Sequence, residues 1–99
     1  SKEDAKEFLK EYKEIYSSSD DRQQWFDKIK SLCPRLNFAA DTKEYKKNPE
    51  NYKGSAGDLS TVLRIAVTGR RNTPDLCSIM QVLGKERSMK RIDEMINSL

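Results

Sequence analysis

The residues best equipped for chemistry cluster between Arg64 and Leu76. Arg64 brings a planar guanidinium, which donates forked hydrogen bonds or stacks on a flat partner. Arg70 and Arg71 add adjacent cations, and Thr73-Pro74-Asp75-Leu76 joins a hydroxyl, an apolar ring, a carboxylate and a branched aliphatic chain. The backbone N–H groups around Thr73 can meet an anion if a helix begins there. This is an inventory for binding rather than catalysis. The chain contains no histidine, which removes the commonest general base and metal ligand, and with it Ser/His/Asp and Cys/His chemistry. Cys33 and Cys77 lack the spacing of a zinc site or a redox CxxC pair, and are expected as buried thiols rather than a disulfide.

Charge distribution says more than the net value of +3. Residues 1–40 hold eight Lys/Arg against eight Asp/Glu, residues 41–91 hold eleven against six, and residues 92–99 hold none against two. A basic block in a nearly balanced chain points to a polyanion partner, with Lys53 and Lys85 as further candidate contacts. Each feature also has an ordinary explanation: a surface arginine paired with an acid, a Thr-Pro helix cap, a modest charge excess. No stretch approaches the roughly 20 apolar residues of a membrane-spanning helix, and Ser1-Lys2-Glu3-Asp4 lacks the apolar segment of a signal peptide. The chain reads as cytoplasmic, with no membrane partner.

These residues must be positioned by elements that the hydrophobic spacing predicts. Ninety-nine residues suit one domain, and 35% apolar with 35% charged content favours amphipathic helices. Ala5, Phe8, Leu9, Tyr12, Ile15 and Tyr16 predict a helix over 2–16, with Ser1 and Asp4 as a capping box. A second helix is expected over 21–32, burying Trp25, Phe26, Ile29 and Leu32 and stopped by Pro34. Residues 34–57 read as a basic, aromatic connection with one helical turn at 42–47. Phe38 is expected in the core, and Tyr45 and Tyr52 are expected to pack over the connection or to stack on bases. Ser55 or Asp58 then caps a helix through Leu59, Val62, Leu63 and Ala66, ended by Gly69. Thr73 as N-cap and Pro74 as first helical residue begin the next helix, with Leu76, Ile79, Met80 and Leu83 on its buried stripe and Gly84 at its end. A last helix is expected over 86–97.

Within this frame the stretch LRIAVTGRRNTPDLCSIMQVLGKER, from Leu63 to Arg87, resembles the C-terminal anticodon-binding domain of bacterial-type glutamyl-tRNA synthetases. The matching features are an LR-x-A-x-TG helix end, a TP-x-L helix start and an LGKER segment. The Trp25 helix, Tyr45-Lys46-Lys47-Asn48-Pro49 and the Tyr52-Lys53-Gly54 approach to Gly57-Asp58-Leu59 add to it. The resemblance implies an all-α bundle of about five to six helices, an anticodon-binding cage. Residues 1–19 would be a linking helix at its start and residues 20–99 the domain proper. It further implies that Arg64 reaches anticodon bases and that Thr73, Pro74 and Leu76 form the surface on which exposed bases pack. Arg70, Arg71, Lys53 and Lys85 would attract phosphates. The implied partners are the anticodon loop of glutamate tRNA and the catalytic domain of the same parent chain.

The parent would attach glutamate to tRNA with ATP and magnesium. No cofactor is expected here: the HIGH and KMSKS-type signatures are absent, and Lys85-Glu86-Arg87-Ser88-Met89-Lys90 only faintly resembles the latter. The resemblance therefore makes this piece non-catalytic. Two other readings stand beside it: the anticodon domain of a class I lysyl-tRNA synthetase, and a helical protein–protein adaptor docking through Leu76, Ile79, Met80 and Leu83.

Overall fold

The computed structural model describes residues 2–99 and is all-α. The expected box between Ser1 and Asp4 lies outside the described residues. Helix α1, Lys2–Ile15, buries Phe8, Leu9 and Tyr12 on one stripe, as their three- and four-residue spacing dictates. Its end is tied to the next helix by Asp20, which accepts from Ser17 N at 3.3 Å and from Lys28 Nζ at 2.6 Å. Lys13 of α1 pairs with Asp93.

Helix α2, Arg22–Leu36, starts with a reciprocal capping box between Asp21 and Gln24. It does not stop at Pro34: proline sits inside the helix, which runs on to Leu36 and ends at Asn37, in the left-handed region at φ 62°. The proline forfeits one donor in the last turn. Leu36 continues the stripe of Ile29, Leu32 and Cys33 into the core, and its burial offsets that loss.

Between α2 and the next long helix the chain makes α3, Thr42–Lys47, as its sequence predicts, and a 3-10 turn at Pro49–Asn51. Its ends are drawn together by Ala39 N to Gly54 O (2.9 Å), Ala56 N to Ala39 O (2.8 Å) and Lys53 N to Asn37 O (2.9 Å). Gly54 is needed at this closure. A Cβ there would lie 2.5 Å from Asp58 Oδ2 and 3.0 Å from the Phe38 ring. Asp58 Oδ2 is also the acceptor for Ser55 N in the cap of the next helix. We expect Gly54→Ala to destabilise the fold by about 1–3 kcal/mol, measured by urea denaturation. A variant as stable as the parent would show that the closure is slack.

Helix α4, Ala56–Thr68, has its capping box at Ser55 and Asp58 and ends at Gly69, with φ 74°. The span α5, Leu76–Ser98, is broken at Gly84, whose φ of 84° and ψ of 161° are not helical, so its two arms are the two late helices that the sequence predicts, meeting at a kink where the first ends. The fully buried Ser88 hydroxyl reaches Met80 O at the bend. The start of α5 differs from expectation: Asp75, not Thr73, is the N-cap, and Pro74 precedes the helix. Ile79 N bonds Asp75 O at 3.1 Å, and Thr73 spends its hydroxyl elsewhere.

One core joins α1, α2, α4 and α5. Phe8, Leu9, Tyr12 and Tyr16 belong to it together with Ile29, Leu63, Met80 and Ile92, so the expected linking helix packs as part of the same core. Tyr12 donates to Trp25 O at 3.1 Å, and Trp25 Nε1 approaches Met80 Sδ at 3.4 Å. Phe38 is buried as expected, whereas Phe26 is only half-buried. Cys33 and Cys77 are free and buried. No helix is long and apolar enough to cross a membrane.

Candidate nucleic-acid interface

The bend from α4 into α5 holds the residues singled out by sequence. Thr68 Oγ1 donates to Arg64 O at 2.7 Å, closing the last turn of α4, and Gly69 N bonds Ile65 O at 2.8 Å. The chain then turns back, and Arg64 Nε donates to Thr73 Oγ1 at 2.9 Å. That hydroxyl in turn donates to Pro74 O at 2.9 Å. Thr73 therefore orients a guanidinium instead of capping a helix. Among the described residues Arg64 forms no ion pair, and its two terminal nitrogens have no hydrogen-bond partner. Locked at Nε and open at its fork, the side chain is pre-set to bind a planar edge.

Pro74 is exposed beside this fork and edges an apolar hollow of about 300 Å³, lined also by Asp75, Ser78, Ile79, Val82 and Leu83. Val82, 87% exposed, is the exposed large hydrophobic residue of the chain among those described. It lies off the stripe of Leu76, Ile79, Met80 and Leu83, and that misplacement was its only sequence signal. Leu76, expected as part of the base-packing surface, is 1% exposed and belongs to the core. As the first residue of α5 it anchors the helix tip from within the core. The apolar platform available to a ligand is Pro74 with Ile79, Val82 and Leu83. The same burial takes Leu76 and Met80 away from an adaptor stripe.

Asp75 is held by two elements. Ser78 Oγ donates to its Oδ2 at 2.7 Å, and Arg22 of α2 donates to the same oxygen from Nη2 at 2.7 Å and Nε at 3.2 Å. The Ser78 hydroxyl first, and Arg22 with it, hold the Asp75 carboxyl below the usual carboxylate range against a smaller opposing effect of burial. The acid next to Pro74 is thus ionised and already neutralised by Arg22. No local sequence signal marks Arg22, because its partner lies 53 residues away.

Arg70 and Arg71 are exposed on the turn, and Lys85 is exposed just past the Gly84 bend. Lys53 is not gathered with them: its Nζ pairs with Asp4 of α1 at 3.0 Å. Arg91, not singled out by sequence, donates from Nη1 to Val67 O at 2.8 Å, placing a cation at the negative end of α4. Tyr45 and Tyr52 are half-buried over the connection, with Tyr52 Oη 3.5 Å from Glu44 Oε1. Among the described residues no cluster of His, Cys, Asp or Glu is arranged to hold a metal.

Comparison with known proteins places this geometry in a family context. The anticodon binding domain family matches residues 1–96. The chain is 49% identical to a glutamate–tRNA ligase of Acetivibrio thermocellus, over 95% of this chain and 17% of that enzyme. It is 43% identical to the glutamate–tRNA ligase of Clostridium perfringens strain 13, over 91% of this chain and 16% of the enzyme. Against the glutamate–tRNA ligase of Clostridium beijerinckii it is 40% identical, over 96% and 17% respectively. The chain thus spans about a sixth of the length of these relatives. No solved structure matches it significantly.

Proposed function

The chain belongs to the anticodon binding domain family, and from that membership we propose that it reads the anticodon loop of glutamate tRNA for a glutamate–tRNA ligase of which it is one part. Chemistry in the parent, with ATP and magnesium, is assigned to a separate catalytic domain, the second partner of this piece, and the whole acts in the cytoplasm. The single observation that supports the reading best is Arg64, locked to Thr73 through Nε with its fork unspent beside the exposed Pro74 hollow.

An anticodon loop presents splayed bases and a phosphate backbone. In this reading the guanidinium fork takes a base edge, Pro74 with Ile79 and Val82 takes a base face, and Arg70, Arg71 and Lys85 attract phosphates. Leu76 supports the tip from beneath. Lys53, occupied by Asp4, contributes a contact only if that exposed pair opens, which costs little because such pairs are worth about 0–1 kcal/mol.

The test is competition among hairpin RNAs carrying glutamate, glutamine and lysine anticodons, with affinity followed against salt. The glutamate hairpin is expected to bind best, which also separates this reading from a lysyl-tRNA synthetase domain. If Arg70, Arg71 and Lys85 each neutralise a phosphate, affinity falls roughly 20-fold between 50 and 200 mM salt. Equal affinity for an unrelated hairpin, insensitive to salt, would refute the proposal.

A further inference from the structure

We infer that a cleft on the far side of Asp75, lined by Arg22, Gln23, Trp25, Phe26 and Ser60, is a second base-binding subsite of this interface. It takes the nucleotide next to the one held at Arg64 and Pro74. The inference rests on the anticodon-reading function proposed above and adds a position to it.

The cleft has a volume of about 500 Å³, within the range of small-ligand pockets. Asp75 lines both this cleft and the Pro74 hollow, so one side chain is the partition between them. Ser60 and Arg64 are four residues apart on α4 and therefore share a face, one turn from each other. A strand whose base meets the Arg64 fork has the cleft beside it.

Its polar residues keep donors and acceptors in reserve. Ser60 is buried at 9% exposure, lines the cleft, and its hydroxyl has no hydrogen-bond partner among the described residues. Helical hydroxyls ordinarily close onto the carbonyl four residues back. On the same helix Thr61 does so with Gly57 O at 3.0 Å and Thr68 with Arg64 O at 2.7 Å. Open to the cleft with neither donor nor acceptor committed, the Ser60 hydroxyl is available to a ligand atom.

At the rim, Arg22 is 76% exposed in its side chain. It spends Nε and Nη2 on Asp75 and has no other partner among the described residues, so Nη1 remains to donate. Gln23 gives Nε2 to Asp27 at 2.9 Å, which leaves its side-chain carbonyl as an acceptor.

The wall suits a base. Phe26 stacks on Trp25 with ring centroids 6.4 Å apart and planes 26° from parallel, and Lys30 Nζ lies 5.3 Å from its ring centroid. This aromatic wall, with Lys30 beside the Phe26 ring and Arg22 at the rim, offers an apolar side to a planar base and cations to its phosphate. The hydroxyl of Ser60, donor and acceptor at once, reads an edge of that base.

The experiment uses the 99-residue chain and fluorescence anisotropy with a glutamate-anticodon hairpin. A parallel set of hairpins has each loop nucleotide in turn made abasic. The variants are Ser60→Ala, which preserves helix propensity, and Arg22→Gln at an exposed site, with Arg64→Ala as reference. Folding is checked by circular dichroism. Both cleft variants are expected to weaken binding roughly fivefold or more. That loss disappears for one abasic position adjacent to the position that silences Arg64→Ala. Cleft variants that bind like wild type while Arg64→Ala does not would overturn the subsite alone. Equal weakening across every abasic hairpin would reduce the cleft to a phosphate contact, and also overturn it. A wild-type chain that binds no hairpin would overturn the anticodon reading and the subsite with it.

Discussion

Leu76→Ala is expected to destabilise the fold by about 2–5 kcal/mol and to lower Tm by roughly ten degrees or more. Leu76 is the first residue of α5 and is 1% exposed, one turn before the fully buried Met80, in the core that joins α1, α2, α4 and α5. Truncation leaves a void where the helix tip is seated. Pro74→Ala, two residues away, is expected to leave Tm nearly unchanged because the ring is exposed and forms the rim of the hollow. The two variants therefore part in RNA binding. Pro74→Ala weakens hairpin binding with the fold intact. Leu76→Ala loses binding as the tip loosens, and recovers it at low temperature, where the folded state is again populated. Thermal melts paired with binding isotherms check this. A Leu76→Ala chain that melts like wild type but binds weakly would make Leu76 a contact surface after all.

The contrast between Leu76 and Pro74 shows what the sequence could carry. Spacing in a helix is local, so the stripe of Phe8, Leu9 and Tyr12 and the glycine ends at Gly69 and Gly84 are readable from neighbours alone. Arg64 and Thr73 were also named together, since they flank one turn, and their side chains meet at 2.9 Å. What local reasoning missed was settled by partners far along the chain. Pro34 is tolerated because Leu36 reaches a core built largely by other helices. The α5 cap falls on Asp75 rather than Thr73 because Ser78 and a distant Arg22 hold the acid while Arg64 engages the threonine. Lys53 left the basic group for Asp4, 49 residues earlier. Leu76 illustrates the limit of a motif: Thr-Pro-x-Leu marks a helix tip, but only packing separates its buried residue from its exposed one.

Arg64→Ala is expected to cost about 1–3 kcal/mol of discrimination between glutamate and non-cognate anticodon hairpins. The fold should persist: the deletion removes one partly exposed bond to Thr73, worth about 1 kcal/mol. Two uses of the guanidinium would both weaken binding, and salt separates them. If Arg64 merely attracts phosphate, its removal weakens every hairpin alike and makes the salt slope shallower by about one unit. If the fork reads a base edge, the slope stays nearly constant while preference among anticodons collapses. Arg64→Lys sharpens the distinction, because an ammonium keeps the charge but lacks both the Nε donor that engages Thr73 and the planar fork. Affinity near wild type in Arg64→Lys, with preference intact, would show that charge alone is used. Affinity and preference lost together in both variants, at unchanged Tm, is the outcome that geometry demands. On the proposed reading, the Nε–Thr73 bond holds the fork before RNA arrives, so less ordering is required at the moment of binding.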